Sequence, residues 1–209
     1  MRRAIGIVMT VFLLGFCSNV WAMDLAGKFG FIGRLTMNKP ILNFANEKKT
    51  GAQIGYGFGI NGEYFVTNQI ALGVRFDYNS FRVKSNDADF EVHIRVNNFG
   101  VFVKYIIPTK TELHPYLKAD LGLYKPGICA KSGDYTERTS YGMKFGFALG
   151  GGVFQASKFY MLGMEVLFHD AFVKDAKTTY MGDEYNFGRD LEYIQLSVIV
   201  AFFIGGSKD

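Results

Sequence analysis

Cysteine, proline and clustered basic charge are all scarce in this sequence, and each shortage excludes something. Only two cysteines, Cys17 and Cys129, occur in 209 residues. Cys17 lies in an amino-terminal stretch that reads as a secretory leader: Arg2 and Arg3, the apolar run Ala4–Phe16, then Val20-Trp21-Ala22 as a small-residue cleavage site. That run falls short of the ~20 residues a membrane-spanning helix needs. Bulky Phe16 spoils Leu14–Cys17 as a lipid-attachment box. Removing residues 1–22 leaves Cys129 alone in the mature chain 23–209, so it must hold together without an internal disulfide. The two leader arginines go too, leaving 21 of the 23 basic residues against 19 acids. No run of Lys or Arg remains to suggest nucleic acid as a partner. Four prolines set against 25 glycines, 21 phenylalanines and 12 tyrosines point to an all-β chain, and about 190 residues with no Pro- or Ser-rich linker fit one domain.

The clearest local signal lies between Gly55 and Tyr78. Ile54, Tyr56, Phe58 and Ile60 alternate with Gly55, Gly57, Gly59 and Asn61, and Ile70, Leu72, Val74, Phe76 and Tyr78 alternate with Ala71, Gly73, Arg75 and Asp77. Alternation of period two predicts two strands, and Thr67-Asn68-Gln69 supplies the turn between them. The same pattern predicts a first strand over Leu25–Met37, a fourth over Phe90–Ile107, a fifth over His114–Tyr124, a sixth over Ser140–Gln155, a seventh from Tyr160 and an eighth around Ile194–Phe202. In the fourth, Val92, Ile94 and Val96 are out of phase with Phe99, Val101, Val103 and Tyr105. Either a β-bulge at Asn97-Asn98 restores one apolar face, or the upper part of the strand rises above the membrane.

Short connections alternate with long ones (Asn38–Gly51, Lys84–Asp89, Lys125–Thr139 and Val173–Gly188). That is the pattern of an up-and-down meander trimmed at one end, as in transmembrane barrels. A lipocalin-like soluble barrel also alternates, with its apolar face turned inward. The polar face here is rich in Gly and Ala, which suits a crowded interior. The apolar face is almost free of charge over eight strands, and Tyr64, Tyr78, Tyr105 and Tyr160 fall near the ends of apolar runs. The prediction is an eight-stranded antiparallel transmembrane β-barrel with its apolar face turned to lipid. Val74→Arg or Leu196→Arg is then expected to destabilise it by about 2–4 kcal/mol, and Gly73→Ala or Ser197→Ala far less.

The stretches Glu63–Tyr78, Asn97–Pro108 and His114–Tyr124 resemble small OmpA/OmpX/OmpW-like outer-membrane barrels, and the likeness extends over essentially all of the mature chain. The resemblance implies a Gram-negative outer-membrane location, contact with outer-membrane lipid and lipopolysaccharide, and insertion by the barrel-assembly machinery. The chain departs from the pattern after Phe203, where Ile204–Asp209 replaces a terminal aromatic, and no peptidoglycan-binding domain follows the barrel. A monomer is the default expectation.

The inward-facing charges form the candidate site. Lys28, Arg34, Arg75, Lys104, Lys118 and Lys144 are set against Glu63, Asp77, Asp120 and Glu165. Buried charge must be paired or hydrated, so these residues read as an interior network that stiffens the barrel. The functional alternative is a gate in which pairs exchange partners to open a narrow polar path. No cofactor or metal is expected. Gly57–Gly62 matches a dinucleotide fingerprint but continues into a strand where the motif needs a helix, and a scattered set of three histidines and one mature cysteine makes no metal site. An enzyme is not expected either, since only His169, read as a rim residue near Asp170 and Asp175, is plausibly placed for chemistry. The long loops, with Phe44, Tyr180, Tyr185 and Phe187, are candidate contacts for lipopolysaccharide or another protein.

Overall fold

The computed structural model describes residues 25–46, 51–83, 90–132, 135–156, 160–180 and 183–205. The expected leader, residues 1–22, lies outside them. The strands are β1 (Phe29–Pro40), β2 (Ala52–Phe65), β3 (Ile70–Val83), β4 (Phe90–Ile106), β5 (Leu113–Ser132), β6 (Tyr135–Ser140), β7 (Lys144–Ala156), β8 (Tyr160–Ala171), β9 (Lys177–Tyr180), β10 (Asp183–Asn186) and β11 (Leu191–Ile204), with one helical turn, α1 (Leu42–Ala45), after β1. Eight of them close into one antiparallel ring, β1–β2–β3–β4–β5–β7–β8–β11, in which β11 pairs back with β1. Closure leaves no open edge in the ring, which is what a sheet crossing lipid requires.

The alternation resolves as the sequence predicts. Every second residue of β1 is buried, and the residues between them, including Phe29, Phe31, Leu35 and Met37, are exposed on the outer wall. The outer wall continues through Ile54, Phe58, Leu72, Val74, Val101, Leu121, Leu149, Leu162 and Val198, all of them exposed. Such a band is explicable only where lipid covers it. Tyr64, Tyr105 and Tyr160 stand on this wall at 40%, 44% and 48% exposure. At the turn after β2, Thr67 Oγ1 accepts from the Gln69 and Ile70 amides at 3.1 and 3.0 Å. There too, Asn68 Oδ1 accepts from the Leu25 and Ala26 amides, both at 2.8 Å, and ties the chain's entry to the short-turn end.

Three expectations are corrected. No bulge occurs at Asn97-Asn98: β4 stays in continuous register with β3 and β5 through both residues. Ile94 and Val96 are simply inward-facing, buried against apolar neighbours above the charged level. The irregularity lies in β2, between Ala52 and Gly55. Lys125–Thr139 is also mostly strand rather than loop. β5 runs on to Ser132, and β6 pairs with its upper part, so β3–β6 stand above the ring as a sheet. Finally, the loop aromatics Phe44 and Phe187 are buried in the barrel mouth at 0% and 8% exposure, so they offer no surface to a partner.

Candidate functional site

The interior is stacked in three layers. At the short-turn end, Phe65, Ala71, Ile106, Tyr116, Phe154, Met161 and Phe203 close an apolar plug. At the loop end a second apolar cluster includes Phe44, Phe81, Ile94, Val96, Tyr141, Phe187 and Tyr193, with Phe81 edge-on to both Phe44 and Tyr193 at 4.9 and 5.2 Å. Between them lies the charged layer.

That layer is built from side chains on six strands. Glu165 Oε1 (β8) pairs with Arg34 Nη1 (β1) at 2.9 Å, and Arg34 Nη2 reaches Asp77 Oδ1 (β3) at 2.5 Å. Arg75 Nε continues the chain, 3.4 Å from Asp77 Oδ2 and 3.0 Å from Asp120 Oδ2 on β5. Glu165 Oε2 takes two further donors, Lys118 Nζ at 3.2 Å and the Tyr116 hydroxyl at 2.9 Å. Lys104 on β4 pairs with Glu63 on β2. Both lysines also sit over aromatic faces, Lys118 Nζ 4.3 Å from the Phe102 centroid and Lys104 Nζ 5.1 Å from that of Tyr116. Aromatic faces favour a desolvated ammonium.

Four cations therefore meet four carboxylates, all at most 3% exposed. Paired this way the set is electrically neutral, the condition under which buried charge is tolerated. Small inward residues make the room. A Cβ on Gly59 would strike the Asp77 carboxylate and come 3.1 Å from Arg34 Nη2, and one on Gly152 would lie 2.8 Å from the Tyr116 hydroxyl.

Of the ten residues singled out from sequence, the structure brings together Arg34, Glu63, Arg75, Asp77, Lys104, Lys118, Asp120 and Glu165. Lys28 and Lys144 stand apart. Each is half-buried, and neither pairs with a described acid. Lys28 precedes β1 in the entry turn, and Lys144 opens β7 at the loop end, so inward phase does not carry either head to the middle level.

Sequence reasoning missed the polar cluster just above the charges. His169 is fully buried inside the barrel, not at the rim. Its ring stacks on Tyr193 (centroids 4.4 Å apart, planes 7°), and its Nδ1 lies 3.0 Å from the Tyr124 hydroxyl, which also accepts from Arg75 Nη2 at 3.3 Å. Thr36, Asn38 and Asn79 form a second bonded set, with Asn38 Nδ2 donating to Asn79 Oδ1 at 2.8 Å. Their inward phase was the available signal, but Asn and Tyr in that phase look the same from sequence whether buried or at a mouth.

Comparison with known proteins agrees with this geometry. The profile of the outer membrane protein beta-barrel domain family matches residues 8–200. No curated protein matches the chain in sequence. Among solved structures, Neisserial surface protein A superposes with a TM-score of 0.58 at 16% identity, covering 84% of this chain and 98% of that one. OprG from Pseudomonas aeruginosa superposes at 0.55 and 12% identity, covering 88% and 98%. Ail, the attachment invasion locus protein of Yersinia pestis, does so at 0.50 and 12%, covering 86% and 99%. At such identities the likeness is one of fold. With the profile spanning most of its length, the chain belongs to the outer membrane protein beta-barrel domain family.

Proposed function

We propose that this outer-membrane barrel is closed to solutes and works through its outer surface, as a structural and surface-interacting protein. The observation that carries the reading is the layered interior. Any polar path through the charged level meets packed aromatic and aliphatic side chains both above and below it. An eight-stranded barrel is only just wide enough to be filled by side chains, and here they fill it. What the loop end presents outward also supports the reading. β6 is paired to β5 along one edge, and Leu42, with a left-handed φ of 50°, is 66% exposed at the rim. Partners are lipid and lipopolysaccharide around the wall and the machinery that inserts the barrel, with the protein itself a monomer.

A lipid A-modifying enzyme is the weaker reading, because His169, the one histidine considered for it, is buried between Tyr124 and Tyr193. Planar-bilayer recording of the purified barrel tests the proposal. The expected outcome is a silent membrane. Stable unitary steps abolished by Arg75→Ala would overturn the proposal in favour of a narrow channel gated by the charged layer.

A further inference from the structure

The outer wall of β3–β6 carries a feature that the closed interior does not explain. On β4 and β5 the outward residues run apolar through Tyr105, Val103, Val101 and Phe99 and through Leu117, Ala119, Leu121 and Leu123, then turn basic at Arg95 and Lys125. Arg138 joins from β6, where it is paired in register with Cys129. Arg95, Lys125 and Arg138 line one concavity of about 160 Å³, together with Asn97, Thr139 and Ser140.

No described acid pairs with these three cations, and Arg95 Nε is buried without a hydrogen-bond partner. The nearby acid on the same face, Glu91, is engaged by Arg82 at 3.7 Å. In the β8–β11 ladder the corresponding outward residues are acidic, with Asp170 directly across from Glu192. The basic concavity is thus a local feature, not a general property of the rim.

Below it, on the same strands, lies an apolar trough of about 820 Å³ walled by Val74, Val101, Val103, Leu121 and Leu149. Ala119 forms its floor, a small residue in register between Val103 and Leu149. Lys125 stands four positions beyond Leu121, about 13 Å along a strand. That suits an amphiphile with its head in one recess and its tail in the other.

We propose that this wall holds one phosphorylated lipid of the outer leaflet, its phosphate between Arg95, Lys125 and Arg138 and an acyl chain in the trough over Ala119. Two arginines and a lysine converging from three strands can supply charge-assisted hydrogen bonds to phosphate oxygens. The concavity sits where the lipid-facing band ends, at the end with the longer connections, which in such barrels is extracellular. The site is on the outer wall, so its failure would leave the closed-interior reading standing, and conduction would leave the lipid site standing.

The test reconstitutes the full barrel in phosphatidylcholine nanodiscs doped with bisphosphorylated lipid A or its dephosphorylated form. Lipid retained per barrel after transfer to detergent is then counted by native mass spectrometry. One bisphosphorylated molecule should stay bound and the dephosphorylated form should be lost. The triple variant R95A/K125A/R138A should lower retention by at least about tenfold. Ala119→Phe, which fills the trough, should lower it severalfold, while Arg82→Ala leaves it unchanged. Heat-dependent gel migration verifies that each variant is folded. Equal retention of both lipid forms, or unchanged retention in the folded triple variant, overturns the site. So does binding of a soluble sulfated polysaccharide with no lipid retained, which would reassign the cations to a glycan.

Discussion

Glu165 anchors the charged layer, and its replacement by glutamine probes whether that layer holds the barrel together. The carboxylate is 2% exposed and takes bonds from Arg34 at 2.9 Å, Lys118 at 3.2 Å and Tyr116 at 2.9 Å. In Glu165→Gln the carbonyl oxygen can still accept from Tyr116 or Arg34, and Arg34 keeps Asp77. Lys118 fares worse, since Glu165 is the one described carboxylate within ion-pair distance of its Nζ. It would face an amide NH₂, donor against donor, as a buried unpaired ammonium. Breaking a buried pair from one side costs about 3–5 kcal/mol, and the retained bonds put the expected loss at about 3 kcal/mol.

Urea titration in lysophospholipid micelles, followed by heat-dependent gel migration, reads that loss. Lys118→Met alone should cost less, about 1–3 kcal/mol, because Glu165 retains Arg34 and Tyr116. In the double variant a neutral amide meets a thioether, so the two losses should fall short of additivity by at least about 1 kcal/mol. A Glu165→Gln barrel within about 0.5 kcal/mol of wild type, or strictly additive losses, would show that the pairs are incidental to stability.

Three further substitutions test the wall, the inward face and the upper plug. Val74 is 51% exposed at the middle of the outward face of β3, so Val74→Arg should lower stability by about 2–4 kcal/mol in the same titration. Ser197→Ala on the inward face removes only the acceptor of the Gln195 bond at 3.1 Å and should cost about 1 kcal/mol; equal losses on the two faces would contradict the orientation. Phe44 is fully buried against Phe81, and Phe44→Ala should cost about 3–5 kcal/mol and open the loop end to limited proteolysis. Unchanged stability and unchanged protease resistance would show that α1 is not seated in the mouth.

How much of this was legible in the sequence differs between the wall and the interior. The face each residue takes is a matter of period two, and a period survives reading without coordinates. Of the ten charges it places on the inward face, eight lie in the paired layer. What the period omits is the neighbour across the sheet. Gly73 was expected to accept alanine because it faces inward among small residues. Its Cβ would instead lie 2.6 Å from the Gly62 carbonyl and against the Phe102 ring. That steric limit arises from the neighbouring strands β2 and β4 and not from β3's own alternation, so Gly73→Ala is not the mild control that the alternation implies.

The period also omits depth, and β4 shows how the omission misleads. From Ile94 onward its inward residues are, in order, Ile94, Val96, Asn98, Gly100, Phe102, Lys104 and Ile106, all buried. The even phase never changes along the strand. Chemistry on the inward face changes instead, from the upper apolar plug through Asn98 to the charged level at Lys104 and the lower plug at Ile106. A rule that equates apolar with outward reads that change as a phase slip and calls for a bulge. A strand of 17 residues extends about 56 Å at 3.3 Å per residue, well beyond what a tilted strand needs to cross the ~30 Å hydrocarbon layer. Its upper residues therefore lie outside the lipid, where both faces are free to take either polarity. Strand length, more than alternation, marks where the membrane rule stops applying. The same excess length in β5 carries Lys125 past the apolar band and places the basic concavity at its edge.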